Sequence, residues 1–154
     1  MHYLQRDIMP LETFFFEAHD RPDEVRSLAH TIDAYWRQML AVAAACPAEV
    51  FMLGANYDSA IQHPRFFAEH IRPGLADFAA VLHRQGKYLL THTDGENRGL
   101  LEHYLASNID IADSVCPSPM TRLSIGQVRE AFAGRITIMG GIPSVALVKA
   151  SMTD

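Results

Sequence analysis

Lys87-Tyr88-Leu89-Leu90-Thr91-His92-Thr93-Asp94-Gly95-Glu96-Asn97 opens on a short apolar run and closes on groups that bind metals or move protons. Gly95 stands where a chain leaving a strand must turn sharply before a helix. Helical patterns flank the stretch on both sides, so it reads as a parallel strand in a βα unit. In such units chemistry collects beyond the carboxyl ends of the strands. That places His92, Asp94 and Glu96 at a candidate active-site edge.

Working outward, three more apolar runs have the same form. Glu49-Val50-Phe51-Met52-Leu53 is a compact run that exits through Gly54-Ala55-Asn56-Tyr57-Asp58-Ser59, so Asn56, Tyr57 and Asp58 take positions equivalent to His92 and Asp94. Ile109 to Val115 alternates in part and ends at Cys116-Pro117-Ser118-Pro119. Arg135-Ile136-Thr137-Ile138-Met139 leaves through Gly140-Gly141, a tight turn or a place where backbone approaches a ligand. Between the runs lie helical patterns. Pro64 to Arg84 carries Phe66, Phe67, Ile71, Leu75, Phe78, Ala79 and Leu82 inward, and Pro73 divides it. Arg98 to Ser107 and Ser124 to Phe132 are the next two, with Gly134 just past the end of the second. A further helical stretch starts at Val145.

Before the first strand, Asp20-Arg21-Pro22-Asp23-Glu24 reads as a helix start with Asp20 or a neighbour as cap. That helix carries Val25, Leu28, Ile32, Tyr35, Trp36, Met39, Leu40 and Ala43 at helical spacing and is closed by Pro47. Phe14-Phe15-Phe16 is an apolar knot in a short helix or turn. The order is thus α, then β-α-β-α-β-α-β. Right-handed parallel units of this kind make either a small doubly wound sheet or part of a (β/α) barrel.

The 154 residues suffice for one domain with a real core, and 49% apolar with 20% charged residues is an ordinary globular balance. A formal charge of −5, with no basic run, argues against a nucleic-acid surface. Local arginines still allow a carboxylated small-molecule substrate. Cys46 and Cys116 do not form a disulfide framework, no apolar run approaches the roughly 20 residues of a membrane helix, and the first residues lack a signal-peptide plan. A cytoplasmic protein without membrane attachment is the expectation.

Two chemistries fit the strand exits. Zinc takes nitrogen, thiolate and carboxylate ligands, and a catalytic zinc keeps one position open. His92 and Asp94 share a face if the pleat persists, and Cys116 one strand over would complete a three-ligand site. The other reading is acid–base work, with Asp94 stabilising a cationic intermediate or hydrogen-bonding a ligand.

The order of motifs resembles the uroporphyrinogen decarboxylase family, which includes zinc methyltransferases serving corrinoid proteins. The resemblance runs from about Glu12 to Leu147. It is carried by Ala18-His19-Asp20-Arg21-Pro22, His63-Pro64-Arg65-Phe66-Phe67, Ile71-Arg72-Pro73, Gly86-Lys87, His92-Thr93-Asp94-Gly95, Ile109-Asp110 and Met139-Gly140-Gly141-Ile142-Pro143. It implies the carboxyl-terminal half of a (β/α)8, or TIM, barrel, with about four parallel strands and intervening helices in one domain over 1–154. The implied activity is decarboxylation of a carboxylated tetrapyrrole in porphyrin biosynthesis, without a cofactor. Its catalytic candidates are His92, Asp94, Asn56, Tyr57 and Asp58.

The family's amino-terminal half holds an arginine-rich, substrate-gripping segment and an aspartate for the pyrrole nitrogens. Neither has a counterpart here, so the expectation is that the chain alone is inactive. The methyltransferase branch instead implies zinc on His92, Asp94 or Glu96, and Cys116, with Asp94 where that branch has the cysteine of His-x-Cys. Asp94-Gly95 resembles the Asp-Gly of some decarboxylases, while Asn56-Tyr57-Asp58 stands in place of their serine–glycine segment. A third expectation is a non-catalytic half-barrel that closes as a homodimer or with a complementary half.

Overall fold

The computed structural model describes residues 1–54 and 56–150, with the side chains of 148–150 excepted. The chain divides into two compact units, Met1–Pro47 and Ala48–Asp154. Among the described residues no helix is long and apolar enough to cross a membrane.

The first unit is helical. After a π-helical turn at Leu4–Ile8 come α1 (Leu11–Asp20) and α2 (Pro22–Ala45). The residue at the N-cap of α2 is Arg21, without a side-chain capping bond, and not Asp20, which instead completes α1. Pro22 starts α2 at the position where a missing N–H costs nothing. Asp23 and Glu24 follow at the positive end of the helix dipole. The edge of Trp36 meets both Tyr3 and Tyr35, at centroid separations of 5.7 and 5.8 Å.

The second unit is α/β, with β1 (Val50–Leu53), α3 (Pro64–His70), α4 (Arg72–His83), β2 (Tyr88–His92), α5 (Leu101–Ala106), β3 (Ile111–Val115), α6 (Ile125–Phe132), β4 (Thr137–Gly140) and α7 (Ser144–Ala150). The expected long helix is indeed divided, with the break at Ile71 and Pro73 in the first turn of α4. The expected helix at Arg98 begins later: residues 98–100 form a turn, because the chain is still tied to the β2 exit by Asn97. Helix α6 starts on a reciprocal capping box, Ser124 with Gln127, and ends with Ala133 and Gly134 both left-handed.

All strand pairs are parallel and the sheet order is β1-β2-β3-β4, so every crossover steps to the next strand in the same direction. Right-handed crossovers of that kind put the helices on one face. Helices α3, α4, α5 and α6 accordingly touch one another as a layer. Between layer and sheet lies the core. Phe67, Leu75, Ala79, Leu82, Leu89, Leu100, Tyr104, Ala112, Val115, Val128 and Phe132 are all buried. Its centre is aromatic, with Phe67 edge-on to Tyr57 at 5.1 Å and to Tyr104 at 5.3 Å.

The register puts Val50 beside Tyr88, Met52 beside Leu90, Leu90 beside Ile111, His92 beside Asp113 and Ile111 beside Thr137. Side chains two apart share a face, so these residues line the side of the sheet away from the core. Val50, Met52, Tyr88 and Met139 are 46%, 58%, 51% and 45% exposed there. The sheet is therefore apolar on both faces, and among the described residues of this unit the helices pack on one of them. At the amino-terminal edge Asp110 accepts from Leu89 N–H at 2.7 Å and pairs with His83 at 2.8 Å, tying α4 to the sheet.

A candidate acid–base site at the carboxyl edge

Because the strands are parallel, the segments after Leu53, His92, Val115 and Gly140 emerge at one edge. His92, the last residue of β2, turns its side chain to the open face, where it is 24% exposed. Its Nδ1 lies 2.7 Å from Asp113 Oδ2, and its Nε2 lies 3.4 Å from Asp94 Oδ2. One imidazole thus stands between two carboxylates. The bond to His92 is the main reason that the Asp113 carboxyl titrates below its ordinary range, helped by Ser114 Oγ at 3.1 Å and opposed by partial burial.

The loop that carries Asp94 is held by its neighbours. Asn97, buried, donates from Nδ2 to the carbonyls of Thr93 at 2.8 Å and Gly95 at 3.0 Å, and accepts from the Tyr104 hydroxyl at 2.8 Å. The loop after β1 clasps the same segment, with Glu96 N–H donating to Asp58 Oδ2 at 3.2 Å and Ser59 N–H donating to the Glu96 carbonyl at 2.8 Å. Gly95 sits at a bend, as expected, but its φ is not in the left-handed region, so the need for glycine comes from crowding. A Cβ there would run into the Tyr57 carbonyl oxygen and come within 2.9 Å of the Asp58 Cβ.

The remaining sequence candidates divide between edge and framework. Asn56 is exposed after β1, beside Ala55, which lies outside the described residues. Tyr57 is 2% exposed and packs its ring on Phe67 and Tyr104, in the core and not at the edge. Asp58 is a loop tie, accepting from Ala60 N–H at 2.8 Å as well as from Glu96. Glu96 is another, its two oxygens accepting from Arg98 N–H at 2.9 Å and Arg122 N–H at 2.8 Å. Cys116 follows β3 and directs its thiol to the Met120 sulfur at 3.5 Å. Burial first, and then the Asp94 charge, raise its pKa, which disfavours the thiolate. Among the described residues no group of three or more His, Cys, Asp or Glu side chains is placed to hold a metal ion.

Sequence reasoning missed Asp113 and Ser114, because in a partly alternating run Asp113 looks like an ordinary solvent-side strand residue and nothing local marks the bulge at Ser114. The available signal was the register: His92 and Asp113 are paired positions on neighbouring strands. No protein-family model, curated protein or solved structure matches this chain.

Proposed function

We propose that residues 48–150 are four successive units of a uroporphyrinogen decarboxylase-like (β/α)8 barrel whose carboxyl edge does proton-transfer chemistry on a carboxylated tetrapyrrole. The observation that carries this is the position of His92 between Asp94 and Asp113, at the carboxyl edge of a sheet wound in one direction only. A doubly wound sheet reverses its strand order partway and is covered on both sides. Here the order never reverses, and the apolar face carrying His92 and Asp113 is the one that would line a barrel.

In a decarboxylation the bond from the side-chain methylene to its carboxylate breaks, carbon dioxide leaves, and a proton takes its place. The Asp94 carboxylate, 43% exposed, is available to stabilise positive charge developing on a pyrrole ring. His92 beside it can relay the replacing proton, a ring nitrogen first accepting one from solvent and the imidazolium then delivering it to the methylene carbon. No cofactor enters this scheme. Titration of ¹⁵N-labelled protein with uroporphyrin, the stable oxidised form of such a tetrapyrrole, tests it. Amide shifts should concentrate in residues 92–96 and 113–116. Binding that leaves those amides unmoved, or no binding at millimolar ligand, would refute the reading.

Methyl transfer at zinc is the second and weaker reading: Asp94 flanks His92, but among the described residues these side chains and Cys116 are not placed together as a metal-holding group. With Glu96 engaged by two backbone N–H groups, its ligand set reduces to His92, Asp94 and Cys116. Zinc titration followed by elemental analysis distinguishes it, since only this reading expects near-stoichiometric metal that His92→Ala removes. Under either reading β1 and β4 are, among the described residues, the outer strands with one unpaired side each, and a second copy or a complementary half would complete the sheet.

A further inference from the structure

Strand β3 does not run regularly through the site. Ala112 pairs with Ile138 and Val115 with Gly140, so Asp113 and Ser114 together face the single residue Met139. This is a β-bulge, and Ser114 carries it in the left-handed region at φ 58°. Side chains with a Cβ rarely adopt that conformation, and where they do the surroundings enforce it. Here the enforcing partner is across the strand pair. Gly140 lies so close to the bulge that a Cβ on it would meet Val115 N at 2.9 Å and Val115 O at 3.0 Å, and Gly141 N–H donates to the Val115 carbonyl at 2.7 Å.

The bulge has a directional result. In an unbroken strand Ser114 would face the core and Val115 the open side, as the period of two requires. With one residue inserted, Val115 returns to the core at 2% exposure, while the Ser114 hydroxyl reaches Asp113 Oδ2 at 3.1 Å. Asp113 is thereby held at 2.7 Å from one imidazole nitrogen, and the competing carboxylate, Asp94, stands at 3.4 Å from the other. A neutral imidazole has one proton to share between them. The shorter contact is the full hydrogen bond, and the longer one lies at the outer limit.

We propose that Asp113, aimed by the bulge at Ser114, is a positioning residue that fixes neutral His92 with its proton on Nδ1 and presents Nε2 to the carboxyl edge with its lone pair free. The inference deepens the reading of this edge as the working site. It sets which nitrogen can accept a proton there, and therefore the direction from which a substrate must approach.

Long-range ¹H–¹⁵N spectra of the full chain, at a pH where the ring is neutral, read the tautomer directly, and His92→Gln identifies the His92 signals. The expected pattern is a pyrrole-type Nδ1 and a pyridine-type Nε2. In Asp113→Ala the two types exchange places, since Asp94 and water then select the proton on Nε2. Ser114→Gly, which accepts the left-handed backbone without strain, keeps the wild-type pattern. A wild-type ring protonated on Nε2, or an unchanged tautomer in folded Asp113→Ala, overturns the proposal. If Asp113→Ala does not fold, the wild-type spectrum alone still decides. The measurement uses no ligand, so failure to bind a tetrapyrrole counts against the reading of function and not against the tautomer.

Discussion

Replacing Tyr104 by Phe removes one oxygen atom and tests whether the carboxyl edge is held from within the core. The Tyr104 ring is fully buried against Phe67 and Phe132, and Phe keeps those contacts. Burial pushes the phenol well above its ordinary pKa, so the hydroxyl retains its proton and donates to Asn97 Oδ1 at 2.8 Å. Without it a buried amide oxygen loses its donor, which costs about 1–3 kcal/mol. The void left by one oxygen adds little. Asn97→Ala should cost more, because it strips hydrogen bonds from the Tyr104 hydroxyl and from the carbonyls of Thr93 and Gly95 together. The double variant should then be less destabilised than the sum of the singles, since the shared bond is lost only once.

Urea unfolding is the assay. The only tryptophan, Trp36, lies in the first unit, so the second unit is better followed by its own backbone amides. Amide shifts in residues 93–96 should accompany the loss of stability. A Tyr104→Phe cost below about 0.5 kcal/mol, or a cost exceeding that of Asn97→Ala, would refute the claim that this bond secures the loop.

Gly95→Ala should destabilise the second unit by about 1–3 kcal/mol and shift amides in 57–59, because the new methyl meets backbone that cannot swing aside; an unchanged urea midpoint would disprove the close approach. His2 is half-buried and its pKa is lowered to about 4, first by burial and then by the Arg6 charge. Its folded pKa thus lies below the unfolded value of about 6.5, so its share of stability is complete above about pH 6.5 and declines towards pH 4 by up to about 3 kcal/mol. Trp36 fluorescence during denaturation should follow that slope, and His2→Gln should flatten it. The exposed strand residues Met52 and Met139 should drive self-association, so sedimentation at micromolar concentration should find oligomers that Met52→Glu and Met139→Glu weaken. A cooperative wild-type monomer would contradict this.

Most of the second unit's plan was legible because its signals are local. Each strand is a short apolar run followed by a turn, and Pro64, Pro73 and Gly134 mark helix boundaries through backbone restriction alone. The site was legible in part. His92 and Asp94 stand out because one closes β2 and the other directly follows it, but Asp113 gains its role only from the alignment of β2 with β3. The bulge that aims Asp113 depends on Gly140, more than 20 residues later, and no window along the chain joins the two. Tyr57 shows the converse: its place after a strand suggested the edge, and the aromatic core took it instead. At the first unit, Asp20 had the right chemistry for a cap, but α1 continued through it and left the junction to Arg21.

Strand order equal to chain order also bears on how the second unit is acquired. Each strand pairs only with its predecessor and its successor, so no step in building the sheet must wait for a distant segment. Loop closure is then limited to one crossover at a time, although each parallel pairing, such as Val50 with Tyr88, spans a whole helical connection and is slower to form than a hairpin. A ribosome delivering this chain from its amino end could let β1 and β2 dock as soon as α4 has emerged, and each later unit would add to an existing template.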